Sequence, residues 1–150
     1  MTARFFVDTN VLLYAYDRAE PDKQIKSLAL LNYLTSNELA ALSTQVLGEF
    51  FATAIRKLRV PLSVNDASLQ VAIFLQSFEI VNLTGAIVLE AARGVRDYQF
   101  SFWDAQIWAA AKLNQIPVVL TEDFNIGASI EGVRFVNPFE PEFRLEDWLR

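Results

Sequence analysis

Four acidic residues stand where side chains can do chemistry rather than fill a core. Asp8 closes the apolar run Phe5-Phe6-Val7, Glu49 lies one turn past Thr44, Asp104 ends Ser101-Phe102-Trp103-Asp104, and Asp123 follows Val118-Val119-Leu120 within Thr121-Glu122-Asp123. Carboxylates gathered a few ångströms apart repel, and in a partly dry cleft some take up protons rather than stay ionised. A divalent cation removes that cost. The chain contains no His and no Cys, so such a site is oxygen-only, the donor set that hard cations such as Mg²⁺ or Mn²⁺ prefer. A cation held this way leaves open positions for a phosphate oxygen and for a water of lowered pKa, which is the chemistry of phosphodiester hydrolysis. The same two absences exclude disulfide scaffolds, zinc–thiolate sites, iron–sulfur clusters, Ser–His–Asp triads and His-ligated metals.

Each acid also has a plain structural explanation. Asp8 suits the cap of a following helix. Asp104 falls at the capping-box position after Ser101, where backbone amides and the helix dipole favour a carboxylate. Glu49 shares a polar helix side with Gln45 and Arg56 and reads as a solvated acid, and Asp123, with Asn125 and Gly127 behind it, reads as a turn residue. What these separate explanations leave unaccounted for is the joint placement.

The elements that must position the acids follow from periodicity. Strands are expected at Arg4–Val7, Leu39–Leu42, Glu79–Leu83, Pro117–Leu120 and Arg134–Val136. Helices are expected at Val11–Tyr16, Lys23–Leu34, from Ser43-Thr44 to the neighbourhood of Leu58 ahead of Pro61, Asp66–Gln76, from Thr84 to about Arg96, and from Ser101 through Leu113. Short apolar strands alternating with longer helices predict a three-layer α/β/α architecture around a mostly parallel sheet of four to five strands. In such sheets ligands bind beyond the carboxyl ends of the strands, at a switch in strand order, which is the edge the four acids share if the sheet is parallel.

Composition sets outer bounds. The 150 residues, 53% of them hydrophobic, fit a single domain over 1–150 with a sizeable core. A net charge of −5, from 18 acidic and 13 basic residues, argues against holding nucleic acid through a basic surface but not through a bound cation. The longest uncharged stretch, between Asp66 and Glu79, falls short of the ~20 residues of a membrane span. Asp8, Asn10 and Asp17 interrupt any signal-peptide core, so no membrane association and a cytoplasmic location are the default expectations. Gly127 and Gly132 have phosphate-loop spacing, but Val133-Arg134 follow where Lys-Ser/Thr is required.

The ordered set Val7-Asp8-Thr9-Asn10-Val11-Leu12-Leu13-Tyr14, Glu49, Ser101-Phe102-Trp103-Asp104-Ala105-Gln106-Ile107 and Leu120-Thr121-Glu122-Asp123-Phe124 with Gly127 resembles the signature of PIN-domain ribonucleases, nearest to the VapC-like toxins of type II VapBC toxin–antitoxin pairs. The resemblance runs from Phe5 to about Asn137. It implies that Asp8 and Asp104 are the principal Mg²⁺ or Mn²⁺ ligands, that Glu49 and Asp123 complete the catalytic acidic pocket directly or through water, and that Asn10 and Thr121 orient the first acid. Glu122 and Asn125 stand at variable positions and are not assigned as ligands. The implied activity is metal-dependent endoribonuclease cleavage of RNA, with a cognate antitoxin protein as partner and a homodimeric assembly.

Cations available to guide RNA are Arg56, Lys57 and Arg59 after the Glu49 helix, with Arg18, Lys23, Lys26, Arg93 and Arg96 as further candidates; all also suit solvated helix ends. Phe102 and Trp103 beside Asp104 fit either a base-stacking role or packing of a helix start on the sheet, and Trp148 fits a tail anchor or a dimer contact. Two competing functions remain from sequence: a phosphatase or phosphotransfer domain with Asp8 as phosphate acceptor, and a catalytically inactive PIN-like binding module.

Overall fold

Apolar triplets and quartets form the strands of a central sheet in the computed structural model, which describes residues 3–149. The strands are β1 (Phe5–Val7), β2 (Ala40–Ser43), β3 (Glu79–Val81), β4 (Val118–Leu120), β5 (Ser129–Ile130) and β6 (Val133–Val136). The helices are α1 (Thr9–Tyr14), α2 (Pro21–Ser36), α3 (Thr44–Ala54), α4 (Val64–Ser77), α5 (Gly85–Tyr98) and α6 (Phe102–Leu113), followed by a 3₁₀ turn at Leu145–Trp148. Strand order is β3-β2-β1-β4-β6-β5, parallel throughout except for β5 against β6. Helices cover both faces, giving the expected three layers.

Parallel strands covered on both faces must be apolar along their whole length. Every residue of β1, β2 and β4 is accordingly buried. One core joins Phe5, Phe6, Leu42, Phe50, Trp108 and Phe135, all below 2% exposure. Among the described residues, no helix is long and apolar enough to cross a membrane.

The sheet has six strands where four to five were expected. The addition is the two-residue β5, joined to β6 by Glu131-Gly132 with φ of 51° and 87°. Positive φ at both central positions is the mark of a type I′ hairpin turn. Asn-Gly and Asp-Gly signal that turn more strongly than Glu-Gly does. A second difference is that α3 stops at Ala54 rather than near Leu58, and the Leu62 amide donates back to the Ala54 carbonyl at 2.9 Å.

Chain order sets the functional edge. From β1 the chain builds outward through β2 and β3, then returns on the other side of β1 as β4. The switch in strand order therefore lies between β1 and β4, and Asp8 and Thr121 are the first residues beyond their carboxyl ends.

Candidate active site

Asp8 is fixed by three elements at once. Its amide donates to the Leu120 carbonyl at 3.0 Å, which extends the β1–β4 pairing by one residue. The backbone then turns into α1 with Asp8 as N-cap, and carboxylate Oδ1 accepts from the Thr9 amide at 2.7 Å. Oδ2 accepts from the Thr121 hydroxyl at 2.8 Å and from the Asn10 side-chain amide at 3.4 Å. Thr121 is wholly buried and Asp8 is 6% exposed. The helix-cap explanation thus holds, yet a cap needs neither this burial nor the second set of donors.

Burial pushes the Asp8 carboxyl up from 3.8 to about 6. The Thr121 hydroxyl and the Thr9 amide act against that rise, while the charges of Asp104 and Glu49 add to it. Asp104, delivered by the first turn of α6, is also raised, first by burial and further by the charge of Asp123, with Ser101 opposing. Ser101 caps α6, its hydroxyl accepting from the Asp104 amide at 3.2 Å. Asp8 is thus coupled to Asp104 and Glu49, and Asp104 to Asp123, although the acids come from four separate parts of the chain.

Asn10 ties the β1 end to the β4 end. Its side-chain nitrogen reaches Thr121 Oγ1 at 3.4 Å and Asp123 Oδ1 at 3.3 Å, and its oxygen accepts from the Glu122 amide at 3.3 Å. Asp123 itself is exposed. The Thr9 hydroxyl is buried with no hydrogen-bond partner. Among the described residues, none of the ion pairs includes Asp8, Glu49, Asp104 or Asp123.

Glu49 is half-buried on α3. Gln45, one turn earlier, donates from Nε2 to Glu49 Oε1 at 2.6 Å and to the Trp103 carbonyl at 3.2 Å. Gln106, 2% exposed on α6, donates to Gln45 Oε1 at 3.0 Å. Neither glutamine was among the sequence candidates. The available signals were the i, i+4 spacing of Gln45 to Glu49 and a lone amide in the apolar run Ala105-Gln106-Ile107-Trp108.

The other expected residues divide. Glu122, not assigned as a ligand, is held by Lys23 and by the Tyr14 hydroxyl, the latter at 2.6 Å. Lys23 is therefore bound close to the acids, a neighbour of Asp123 in the chain being its partner. Arg56, Lys57 and Arg59 are exposed in the turn beyond Ala54, the last residue of α3, which itself lies about 7.5 Å along the helix axis from Glu49 at 1.5 Å per residue. Arg93 and Arg96 are engaged by Glu90, Asp97 and Glu131. Trp103 is 63% exposed next to Asp104, with Phe102 edge-on to it. Trp148 ties down the tail, its carbonyl accepting from Arg4 at 3.0 Å and its ring lying under the Arg134 guanidinium. A groove of 450 Å³ between α2 and the tail, lined by Lys26, Tyr33, Phe143 and Leu149, contains none of the four acids.

The donor set fits a hard divalent cation in chemistry. It offers carboxylate oxygens only, their charges act on one another, and among the described residues none of the four is in an ion pair. Among the described residues, no three carboxylates are drawn close enough to enclose an ion as they stand.

The sequence profile of the PIN domain matches residues 5–128. Among curated proteins none matches the sequence. Solved structures share the fold at low identity. A toxin–antitoxin complex from Klebsiella pneumoniae superposes with a TM-score of 0.65 at 21% identity, over 90% of this chain and 98% of that one. DNA-bound VapBC from Salmonella typhimurium gives 0.65 at 19% identity, over 92% and 99%. VapC20 from Mycobacterium tuberculosis, described as a toxin that cleaves the sarcin–ricin loop, gives 0.60 at 19% identity, over 85% and 97%. With the profile spanning both the Asp8 turn and the Thr121–Asp123 loop, the chain belongs to the PIN domain family.

Proposed function

We propose that this protein is a metal-dependent endoribonuclease, the toxin component of a VapBC-type toxin–antitoxin pair. The observation that carries the reading is the state of Asp8: a buried carboxylate at the switch point, pushed up to about 6 by burial and by two neighbouring acids, and in none of the ion pairs among the described residues. A carboxylate so placed is costly to ionise unless something positive shares the site. Asp8 and Asp104 are the main ligands in this reading, with Glu49 and Asp123 completing the set. Bound Mg²⁺ or Mn²⁺ would supply Lewis acidity toward a phosphate oxygen and lower the pKa of a water. Thr121, the Thr9 amide and Asn10 hold the Asp8 carboxylate so that it need not reorganise when the site is loaded.

Family membership and the toxin–antitoxin complexes whose fold the chain shares support an antitoxin partner; an RNA substrate and a homodimeric assembly are part of the same proposal. Lys23 near the Asp123 loop, and the more distant Arg56, Lys57 and Arg59, are the proposed phosphate contacts. Single-stranded RNA should be cleaved in millimolar Mg²⁺ or Mn²⁺ and left intact in chelator. Asp8→Asn and Asp104→Asn should each slow cleavage by roughly 10³-fold or more, the equivalent of several kcal/mol of charge stabilisation. Undiminished cleavage in chelator or by Asp8→Asn overturns the metal mechanism, and transfer of phosphate from a small donor to Asp8 would replace it with phosphotransfer.

A further inference from the structure

Two amides span the gap between the helix that carries Glu49 and the helix that carries Asp104. Gln106 rises from the buried face of α6 and donates to Gln45 Oε1 at 3.0 Å. Gln45 Nε2 donates to Glu49 Oε1 at 2.6 Å and to the carbonyl of Trp103, the residue preceding Asp104, at 3.2 Å. The polarity of this relay is set by its ends. A carboxylate and a carbonyl can only accept, so Gln45 must present its NH₂ to them, and its oxygen must face Gln106. Gln106 must then present its own NH₂. Turning either amide over would place oxygen against oxygen.

The arrangement is more than packing. Burying a side-chain amide costs free energy unless it is hydrogen-bonded, and an apolar residue of the same size would fill the space beside Ala105 and Ile107 without that cost. The hydrogen bonds of Gln106 and Gln45 run instead to one of the four acids and to the backbone beside another. Charge-assisted donation to Glu49 strengthens the bond behind it, because bonded chains polarise one another in a low dielectric.

We infer that Gln106 and Gln45 are positioning residues that clamp the Glu49 carboxylate to the start of α6 and so fix its spacing from Asp104 for cation binding. The clamp rests on the proposed metal-dependent reading, and it adds that the spacing of the acids is set from behind by a buried, directional relay. Without it, Glu49 keeps its charge but gains rotamers, and the site must be ordered anew each time it is loaded.

The test is direct Mn²⁺ titration followed by electron paramagnetic resonance, on the wild-type chain, Gln106→Met and Gln106→Glu, beside RNA cleavage and thermal denaturation. Met fills the same volume without a donor. Glu at that position reverses the relay, since Gln45 must turn its NH₂ toward it and its oxygen toward Glu49. Mn²⁺ affinity should fall about 10-fold in Gln106→Met and further in Gln106→Glu, within the ~10- to 100-fold range for residues that orient ligands. The cleavage kcat should fall in step while KM for RNA is unchanged. Mn²⁺ affinity and kcat equal to wild type in a folded Gln106→Met overturn the clamp. Absence of Mn²⁺ binding by wild type overturns the metal reading instead. The relay is then judged by the Gln45 side-chain amide resonances, which should be shifted and slowly exchanging in wild type and lose both features in Gln106→Met; unchanged resonances overturn it.

Discussion

Two clusters of charge lie on this molecule, and they are built on opposite rules. On the flank formed by α5, the C-terminal half of α6 and the β5–β6 turn, charges are paired: Arg93 meets Glu90, Asp97 and Glu131, and Lys112 meets Glu90 and Glu131 at 2.5 and 2.8 Å. The Arg93 and Lys112 cations also lie over the Trp108 ring, at 5.5 and 5.4 Å from its centre. Arg93, Lys112 and Tyr98 draw the Glu131 carboxyl down to about 2. At the carboxyl edge between β1 and β4, acids face acids and Asp8 is driven up to about 6. One cluster holds structure together, while the other is held against its own repulsion by the structure around it. Within one chain, uncompensated charge is what marks a site.

The comparison can be broken at the acidic edge first. Asp8→Asn removes a charge that the fold disfavours, so the metal-free protein should gain up to about 3 kcal/mol of stability at neutral or higher pH, from two pKa units of displacement. The sign follows from linkage. The folded pKa of about 6 exceeds the unfolded value near 3.9, so the native state binds more protons between them and stability falls as pH rises through that window. Below it Asp8 is neutral in both states, and the advantage of Asn should vanish. Denaturant melts of both proteins between about pH 4 and pH 8 check this. A variant that loses cleavage while gaining stability is the signature of a residue kept for function.

Opposite behaviour is expected on the paired flank. Glu131→Gln should destabilise by about 1 kcal/mol near neutral pH, the scale of a partly exposed network, and less at high salt. Because Glu131 titrates below its ordinary value, its contribution is present above the unfolded pKa and is lost as acid approaches about 2. Its backbone at φ 51° adds a test, since Glu131→Gly should relieve the turn while deleting the ion pairs. The smallest effect belongs to Tyr14→Phe. It removes a 2.6 Å bond to Glu122 and a 3.3 Å one from Lys23 but leaves the Lys23–Glu122 ion pair, and should cost about 0.5 kcal/mol with cleavage reduced only a few-fold.

Much of this was legible in the residues. Strands buried on both faces read as unbroken apolar runs, so β1, β2 and β4 stand close to where Phe5-Phe6-Val7, Leu39–Leu42 and Val118–Leu120 placed them. The caps Ser101 and Thr84 hold helices at the expected ends. The order of strands, which brings Asp8 beside Thr121, depends on tertiary packing and was not legible in the sequence. Less visible were features that span the chain at long range. The Gln106–Gln45–Glu49 relay joins residues 61 apart at its widest step, and no local pattern encodes it. Lys23 read as one solvated cation among several until Glu122, 99 residues on, was found against it. The β5–β6 hairpin escaped notice because Glu131 occupies a left-handed position that sequence patterns associate with Asn or Asp.

The central claim is that Asp8, Glu49, Asp104 and Asp123 form one uncompensated site that a divalent cation stabilises. Thermal denaturation in chelator and in millimolar Mn²⁺ tests it most directly, because a ligand that binds only the folded state adds about 2.7 kcal/mol at a hundredfold excess over its dissociation constant. Wild-type Tm should rise clearly with Mn²⁺ at neutral pH, with little or no rise in Asp8→Asn, which has already lost the repulsion that the cation relieves. An equal Mn²⁺-induced rise in both proteins, or none in wild type, would contradict the claim.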